Sequence, residues 1–241
     1  MVDVLCIVQA RLTSNRLPNK VLTKLGNSQK TVLQHVYERL KKSEKISKIV
    51  FAIPDTPLND SLANYLFDNN ITCFRGSEDD VLKRFYCCTR MYDANIIVRA
   101  TCDNPLLDWY FLDEMINYLK DKSCDYVSSN KAPLGTTAEV MTVAALRTAY
   151  DNAILSEYRE HVTPFIYNNP QLFICKDLLY PCVDQYRLTV DTKEDLQLMN
   201  IIYDNLYVGL PIDNFNVYAF LASNQDLLKI NCNVQQVALS E

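Results

Sequence analysis

Glycine is scarce in this chain, with 4 among 241 residues, and 9 prolines do little to make up the difference. That leaves little material for a flexible linker, so residues 1–241 are expected to form a single domain without a disordered tail. A basic excess is also missing: 24 Lys and Arg stand against 29 Asp and Glu, for a net charge of −5. Proteins that track a long polyanion usually carry a basic surplus, so nucleic acid is not an expected partner. Small phosphates stay open, because they need only a local cluster of cations. No apolar stretch approaches the length of a membrane span. The first apolar run, residues 4–8, is too short for a secretory h-region and lacks a basic flank. No Cys-x-x-Cys pair occurs, and the nine cysteines (Cys6, Cys73, Cys87, Cys88, Cys102, Cys124, Cys175, Cys182 and Cys232) are odd in number. Free thiols, mostly buried, in a reducing cytosol fit this usage better than a disulfide framework or a zinc site, so a cytoplasmic location is expected. No Asp-x-Asp occurs anywhere.

What remains is ordinary for a globular enzyme: 49% hydrophobic and 22% charged residues, in a length that α/β folds often use as one domain. Short Val- and Ile-rich runs at 4–8, 48–53, 71–74, 95–99 and 125–128 read as strands, several without polar alternation, as in strands buried on both faces. Helical patterns lie between them. Residues 31–42 align Val32, Leu33, Val36 and Leu40 on one stripe, and 58–67 align Leu58, Leu62, Tyr65 and Leu66. Residues 77–92 open with Ser77 as a cap and Glu78, Asp79 and Asp80 in the first turn. A further helix is expected at 108–120. The β-α-β-α order predicts an α/β fold with a mostly parallel, doubly wound sheet. Beyond Asn130 the rhythm changes to a loop at 131–137, a strand at 138–143, two consecutive helices over 144–168, a strand at 186–190 and helices at 192–207 and 213–223.

The stretch Gln9-Ala10-Arg11-Leu12-Thr13-Ser14-Asn15-Arg16-Leu17-Pro18-Asn19-Lys20 follows the first strand directly. Ligands of open α/β sheets gather at the carboxyl ends of strands. Arg11, Arg16 and Lys20 on one short loop repel one another unless an anion offsets them. A triphosphate would do so, with Arg forks and backbone N–H groups as donors. A solvated basic turn is the competing reading, and spacing alone does not separate the two. Asp103 and Asp191 each follow a strand-like run, and Mg²⁺ takes few protein carboxylates and completes its shell with phosphate and water. Asp103 could instead be a turn residue before Pro105, and Asp191 could instead be the N-cap of the helix that follows, a duty Thr192 could also take.

Several blocks together resemble the cytidylyltransferases that make activated acidic sugars, including the CMP-Kdo and CMP-acylneuraminate synthetases, and more closely the SpsF-like spore-coat polysaccharide branch. Ala10, Arg11, Ser14, Arg16, Leu17, Pro18 and Lys20 match the opening signature. Residues 74–82, 99–106, 159–164 and 187–196 are similar to later blocks, in the same order. The resemblance implies a nucleotide-diphospho-sugar transferase (GT-A-like) fold. It implies CMP transfer from CTP to a small acceptor, an acidic sugar or a phosphorylated molecule, with loss of pyrophosphate. It further implies catalytic cations at Arg11, Arg16 and Lys20, and nucleotide contacts from Gln9, Ala10, Ser14, Arg75 and Thr101. Asp103 and Asp191 become the expected Mg²⁺ ligands. Glu139, Arg159 and His161 become candidates to face the acceptor, although a lone His is more often structural. Arg75 and Arg99 could bind phosphate or pair with acids such as Asp79 and Asp80. Family members are often dimers, so a homodimer is conceivable, and the product would feed a surface polysaccharide pathway.

Three positions depart from the pattern. Asn19 stands where the family commonly has Gly, and Asn tolerates left-handed backbone. Cys102 replaces a Gly before Asp103, and Thr136-Thr137 stands where the SpsF-like branch tends to carry Asp. Two other classes compete with this reading. One is a glycosyltransferase using a nucleotide-sugar donor, against which the missing Asp-x-Asp counts. The other is a non-catalytic nucleotide-binding module, against which the joint presence of the five charged residues counts.

Overall fold

A β-strand at the centre of a sheet must be apolar on both faces, and residues 4–8 satisfy this. In strand β1 (Val2–Gln9), Val4, Cys6 and Val8 enter one core cluster while Leu5 and Ile7 enter the other. The computed structural model describes residues 2–181 and 186–236. Cys182, one of the expected free thiols, lies outside the described residues. β2 (Lys48–Pro54), β3 (Cys73–Gly76) and β4 (Ala94–Thr101) join β1 in parallel. β5 (Tyr126–Ser128), β6 (Glu139–Thr142) and β7 (Cys175–Asp177) complete one seven-stranded sheet in the order β3-β2-β1-β4-β6-β5-β7. β6 is antiparallel to both β4 and β5. The sheet is therefore doubly wound and mostly parallel, as expected.

Helices α1 (Val32–Leu40), α2 (Asp60–Asp68) and α4 (Trp109–Lys122) cover one face, burying Leu33, Val36, Leu62, Leu66, Leu112 and Met115. α3 (Val81–Arg90) and α5 (Val143–Asn152) cover the other with Leu82, Phe85, Leu146 and Ala149. The starts of all but α2 are fixed by side-chain caps. Thr31 and Gln34 form a reciprocal capping box, and Asp80, Asp108 and Thr142 each accept a first-turn N–H. Asp80 caps α3, three residues after the expected Ser77 cap. Leu58, expected on the buried stripe of α2, lies in the turn before it and is exposed.

The second half departs further from expectation. Residues 144–168 hold three helices, α5, α6 (Ser156–His161) and α7 (Pro164–Tyr167), not two. Residues 186–190 are not a strand of the sheet; only an isolated bridge links Arg187 to Leu134. Their period-two pattern has another origin. Tyr186, Leu188 and Val190 alternate into a third core cluster beneath α8 (Lys193–Leu206) and α9 (Asn214–Ser223). β7, which takes an edge of the sheet, carries one partly buried and two exposed residues and gave no apolar signal. No helix among the described residues is long and apolar enough to cross a membrane.

Candidate active site

From β1 the chain winds outward through β2 to β3, then returns to place β4 on the other side of β1. The reversal makes the β1–β4 junction a topological switch point, where open α/β sheets leave a crevice at the carboxyl ends of the strands. Gln9 and Thr101 are register partners at that end, and Cys102 N–H donates to Gln9 O at 2.9 Å. The cationic loop leaves from one strand, and Asp103 from the other.

The loop is folded back by its own backbone. Asn19 N–H donates to Leu12 O at 3.1 Å, and Leu12 N–H donates to the buried Asn59 side chain at 3.0 Å. Asn19 takes φ 58° and ψ 16°, the left-handed conformation that Asn tolerates. This turn delivers Lys20 into a nearly buried position. Lys20 Nζ donates to Asp103 Oδ2 at 2.6 Å and to Asp191 Oδ1 at 2.7 Å. Arg16 Nη2 and Arg187 Nη2 reach the other Asp191 oxygen, at 3.0 and 3.3 Å. Arg187 is held in turn by Asp195, with Nε–Oδ1 at 2.8 Å and Nη2–Oδ2 at 3.0 Å. Arg11 is exposed and makes no ion pair among the described residues.

Asp191 is free for this role because Thr192 caps α8, in a capping box with Asp195. The segment carrying Asp191 is tied to the β4 end, where Asp103 O accepts from Val190 N–H at 2.8 Å and from Thr189 Oγ1 at 3.2 Å. On its other side it lies against Gly135, at φ 93°, where a Cβ would sit 2.4 Å from Leu188 O. No other residue fits there. Cys102 shows no positive φ and buries its side chain in the core, so the site does not need a glycine at that position.

Burial alone would raise the Asp103 carboxyl, but the Lys20 charge and hydrogen bonds from Lys20 and Thr101 outweigh it and hold the pKa below its ordinary 3.8. Burial would lower Lys20, but Asp103 and Asp191 outweigh burial and hold it above 10.5. Lys20 and Asp103 therefore both stay charged across the neutral range. A Lys ammonium has three donors, and two are spent on the aspartates. The Gln9 side chain leaves a buried Oε1 without a partner at the same strand end.

Other expected site residues lie apart from this cluster. Arg75, on β3, pairs with Asp55 at 2.9 Å and Asp60 at 2.7 Å, not with Asp79 or Asp80. Asp80 instead takes Arg159, through Nε at 3.0 Å and Nη2 at 2.6 Å. The Arg159 fork also donates to Tyr150 O and lies over the Tyr150 ring, so it fastens α6 to α3 and α5. Arg99 pairs with Glu139. His161 ends α6 and opens a γ-turn: Val162 has φ 73° and ψ −56°, and Thr163 N–H donates to His161 O at 2.9 Å. The turn aims buried Thr163 at Glu139 Oε1, 2.8 Å away. Ser14 Oγ accepts from Leu17 N–H within the loop.

Glu139, Arg99 and Thr101 line a cavity of about 650 Å³ beside the cluster, while His161 and Arg159 do not. Sequence reasoning gave Arg187, Asp195 and Thr163 no role. The spacing of Arg187, Asp191 and Asp195, each four apart, was the available signal for the first two.

Asp103 and Asp191 fit Mg²⁺ by their chemistry: two hard carboxylates, one after the end of β4 and one just before α8, converge on one positive charge. Among the described residues no group of three or more His, Cys, Asp or Glu side chains could hold a metal, so water and phosphate would fill the remaining positions.

Known proteins resemble the chain over most of its length. The family model described as "Cytidylyltransferase" matches residues 5–208. An uncharacterised Methanocaldococcus jannaschii protein, MJ1063, is 38% identical over 244 residues, covering 99% of this chain and 98% of its own. The spore coat polysaccharide biosynthesis protein SpsF of Bacillus subtilis is 37% identical over 211 residues, covering 84% of this chain and 87% of its own. A solved cytidylyltransferase structure from Leptospira borgpetersenii superposes with a TM-score of 0.88 at 25% identity, covering 99% of this chain and all of that one. The architecture is thus the nucleotide-diphospho-sugar transferase fold that the resemblance implied.

Proposed function

The chain belongs to the cytidylyltransferase family, and on that premise we propose that it moves CMP from CTP onto a small acceptor with release of pyrophosphate, using Mg²⁺ held by Asp103 and Asp191. One observation carries this reading: Lys20, from the loop after β1, meets both Asp103 and Asp191, at 2.6 and 2.7 Å. An acceptor oxygen attacks the α-phosphorus in line. The bond from that phosphorus to the bridging oxygen breaks, and the electron pair leaves with pyrophosphate. Negative charge then grows on the leaving and non-bridging oxygens. Arg11, Arg16 and the third Lys20 donor are the groups that offset it, and Arg16 and Lys20 are held by aspartates before the reaction. Asp191 and Arg187 keep Arg16 and Lys20 in place. Mg²⁺ bound at the aspartates would add charge neutralisation at the phosphates. Gln9 and Thr101, at the strand ends, are the nearest candidates to contact the nucleotide.

A cytosolic setting belongs to the same proposal. Eight cysteines among the described residues are free, and burial pushes the Cys88 thiol up to about 12. Similarity to a spore coat polysaccharide biosynthesis protein supports a product used in surface polysaccharide. The test is a pyrophosphate-release assay with purified protein, CTP, Mg²⁺ and a panel of small acceptors. Release that depends on acceptor, with a product heavier than the acceptor by CMP, is expected. Silence with every acceptor, together with no CTP binding by calorimetry, would overturn the assignment.

A further inference from the structure

The cavity beside the aspartates is walled by the ends of β4 and β5, the start of β6, and Tyr167. It begins at Thr101 and Asn104, which flank Asp103 in sequence, so whatever fills it lies next to the phosphoryl-transfer cluster. Arg99 and Glu139 are its only charged linings among the described residues. They are register partners on β4 and β6, and Arg99 Nη1 donates to Glu139 Oε2. The sheet itself fixes this pair. The other Glu139 oxygen accepts from Tyr126 and Thr163. The formal charge inside the cavity is therefore zero.

Ser128, Ser129, Asn130 and Thr137 supply neutral donors and acceptors. Two atoms there are buried and unsatisfied: Arg99 Nε, which needs an acceptor, and Ser129 Oγ, which can donate or accept. Tyr126 and Tyr167 add ring surface, and burial keeps both phenols protonated.

Resting on the nucleotidyl-transfer reading above, we propose that the part of the acceptor held in this cavity is an uncharged polyhydroxyl unit, an alditol or a neutral sugar, and not a carboxylate-bearing one. A hydroxyl can exchange hydrogen bonds with the neutral side chains of this lining, Ser128, Asn130 and Thr137 among them, without bringing charge. A carboxylate in the same place shares one guanidinium with Glu139, and two carboxylates on one cation repel. Its desolvation is then uncompensated. A phosphate on the acceptor is compatible only outside this lining, on the Thr101 and Asn104 side, where Asp103 meets Lys20.

Saturation-transfer NMR on the full chain with CTP and Mg²⁺ tests this, using alditols and aldonates of equal carbon number. Alditols are expected to bind at least about tenfold more tightly than the matched aldonates. Glu139→Gln removes the compensating charge and is expected to narrow or reverse that ratio. Equal or stronger aldonate binding by the wild type overturns the proposal, as does an absence of alditol saturation. CTP calorimetry on the same preparation reports separately on the nucleotidyl-transfer reading. Nucleotide binding with the wrong acceptor preference therefore sinks this inference alone.

Discussion

Lys20 and Arg99 both meet carboxylates at the carboxyl edge of one sheet, yet their surroundings close in opposite ways. Around Lys20, the cations Arg16, Lys20 and Arg187 pair with Asp103, Asp191 and Asp195 and leave one Lys20 donor unspent, and the same loop carries Arg11, which is exposed and makes no ion pair among the described residues. Around Arg99 a single glutamate cancels a single arginine, and neutral hydroxyls complete the wall. The residue chemistry is the same in both places. What differs is the balance of charge and the number of donors left over, and these set the kind of ligand each place can take. An excess of fixed donors suits a polyphosphate, and a closed pair suits a neutral group.

The strongest way to break this contrast is to remove the cation at its centre. Lys20→Ala is expected to lower turnover at least ~10²-fold, the scale of losing one transition-state donor. Steady-state kcat/KM measures it, and an unchanged value would detach the loop from catalysis. Asp103→Asn comes next, with activity expected to need roughly tenfold or more Mg²⁺. A wild-type Mg²⁺ titration would remove Asp103 from the metal site.

The same variant sharpens the pH behaviour. The folded pKa of Asp103 lies below its unfolded 3.8, so its contribution to stability is full above that value and is lost as pH falls through the folded pKa. Melting temperature followed below pH 4 should therefore fall less steeply in Asp103→Asn than in the wild type. Gly135→Ala tests the wall between the two places. A Cβ there meets Leu188 O at 2.4 Å with φ at 93°, and a loss of about 1–3 kcal/mol is expected. Urea denaturation reads it, and an unchanged midpoint would mean that residues 186–190 yield freely. The smallest effect belongs to Thr163→Val, which removes one hydrogen bond to Glu139 and should cost about 1 kcal/mol.

Much of this was legible before any coordinates. Residue type and spacing admitted a left-handed Asn19 and a Thr192 cap that releases Asp191 without deciding either. The paired faces of β1 follow from them directly. The same is true of the meeting of the Lys20 loop with Asp103, because parallel strands bring their carboxyl ends to one edge. The pairings that settle side-chain roles were not legible. Arg159 lies 79 residues from its partner Asp80, and nothing local distinguishes it from an arginine facing a ligand. Residues 186–190 carried a strand's alternation but spend it beneath α8 and α9.

The sequence by itself determined the buried strands and helices of the first half, and that the Lys20 loop and Asp103 leave the same edge of the sheet, because periodicity and capping are local. Only the tertiary structure decided which charges cancel and which remain for a ligand. That outcome depends on distances between residues far apart in the chain, and Coulomb and hydrogen-bond energies are decided within a few ångströms.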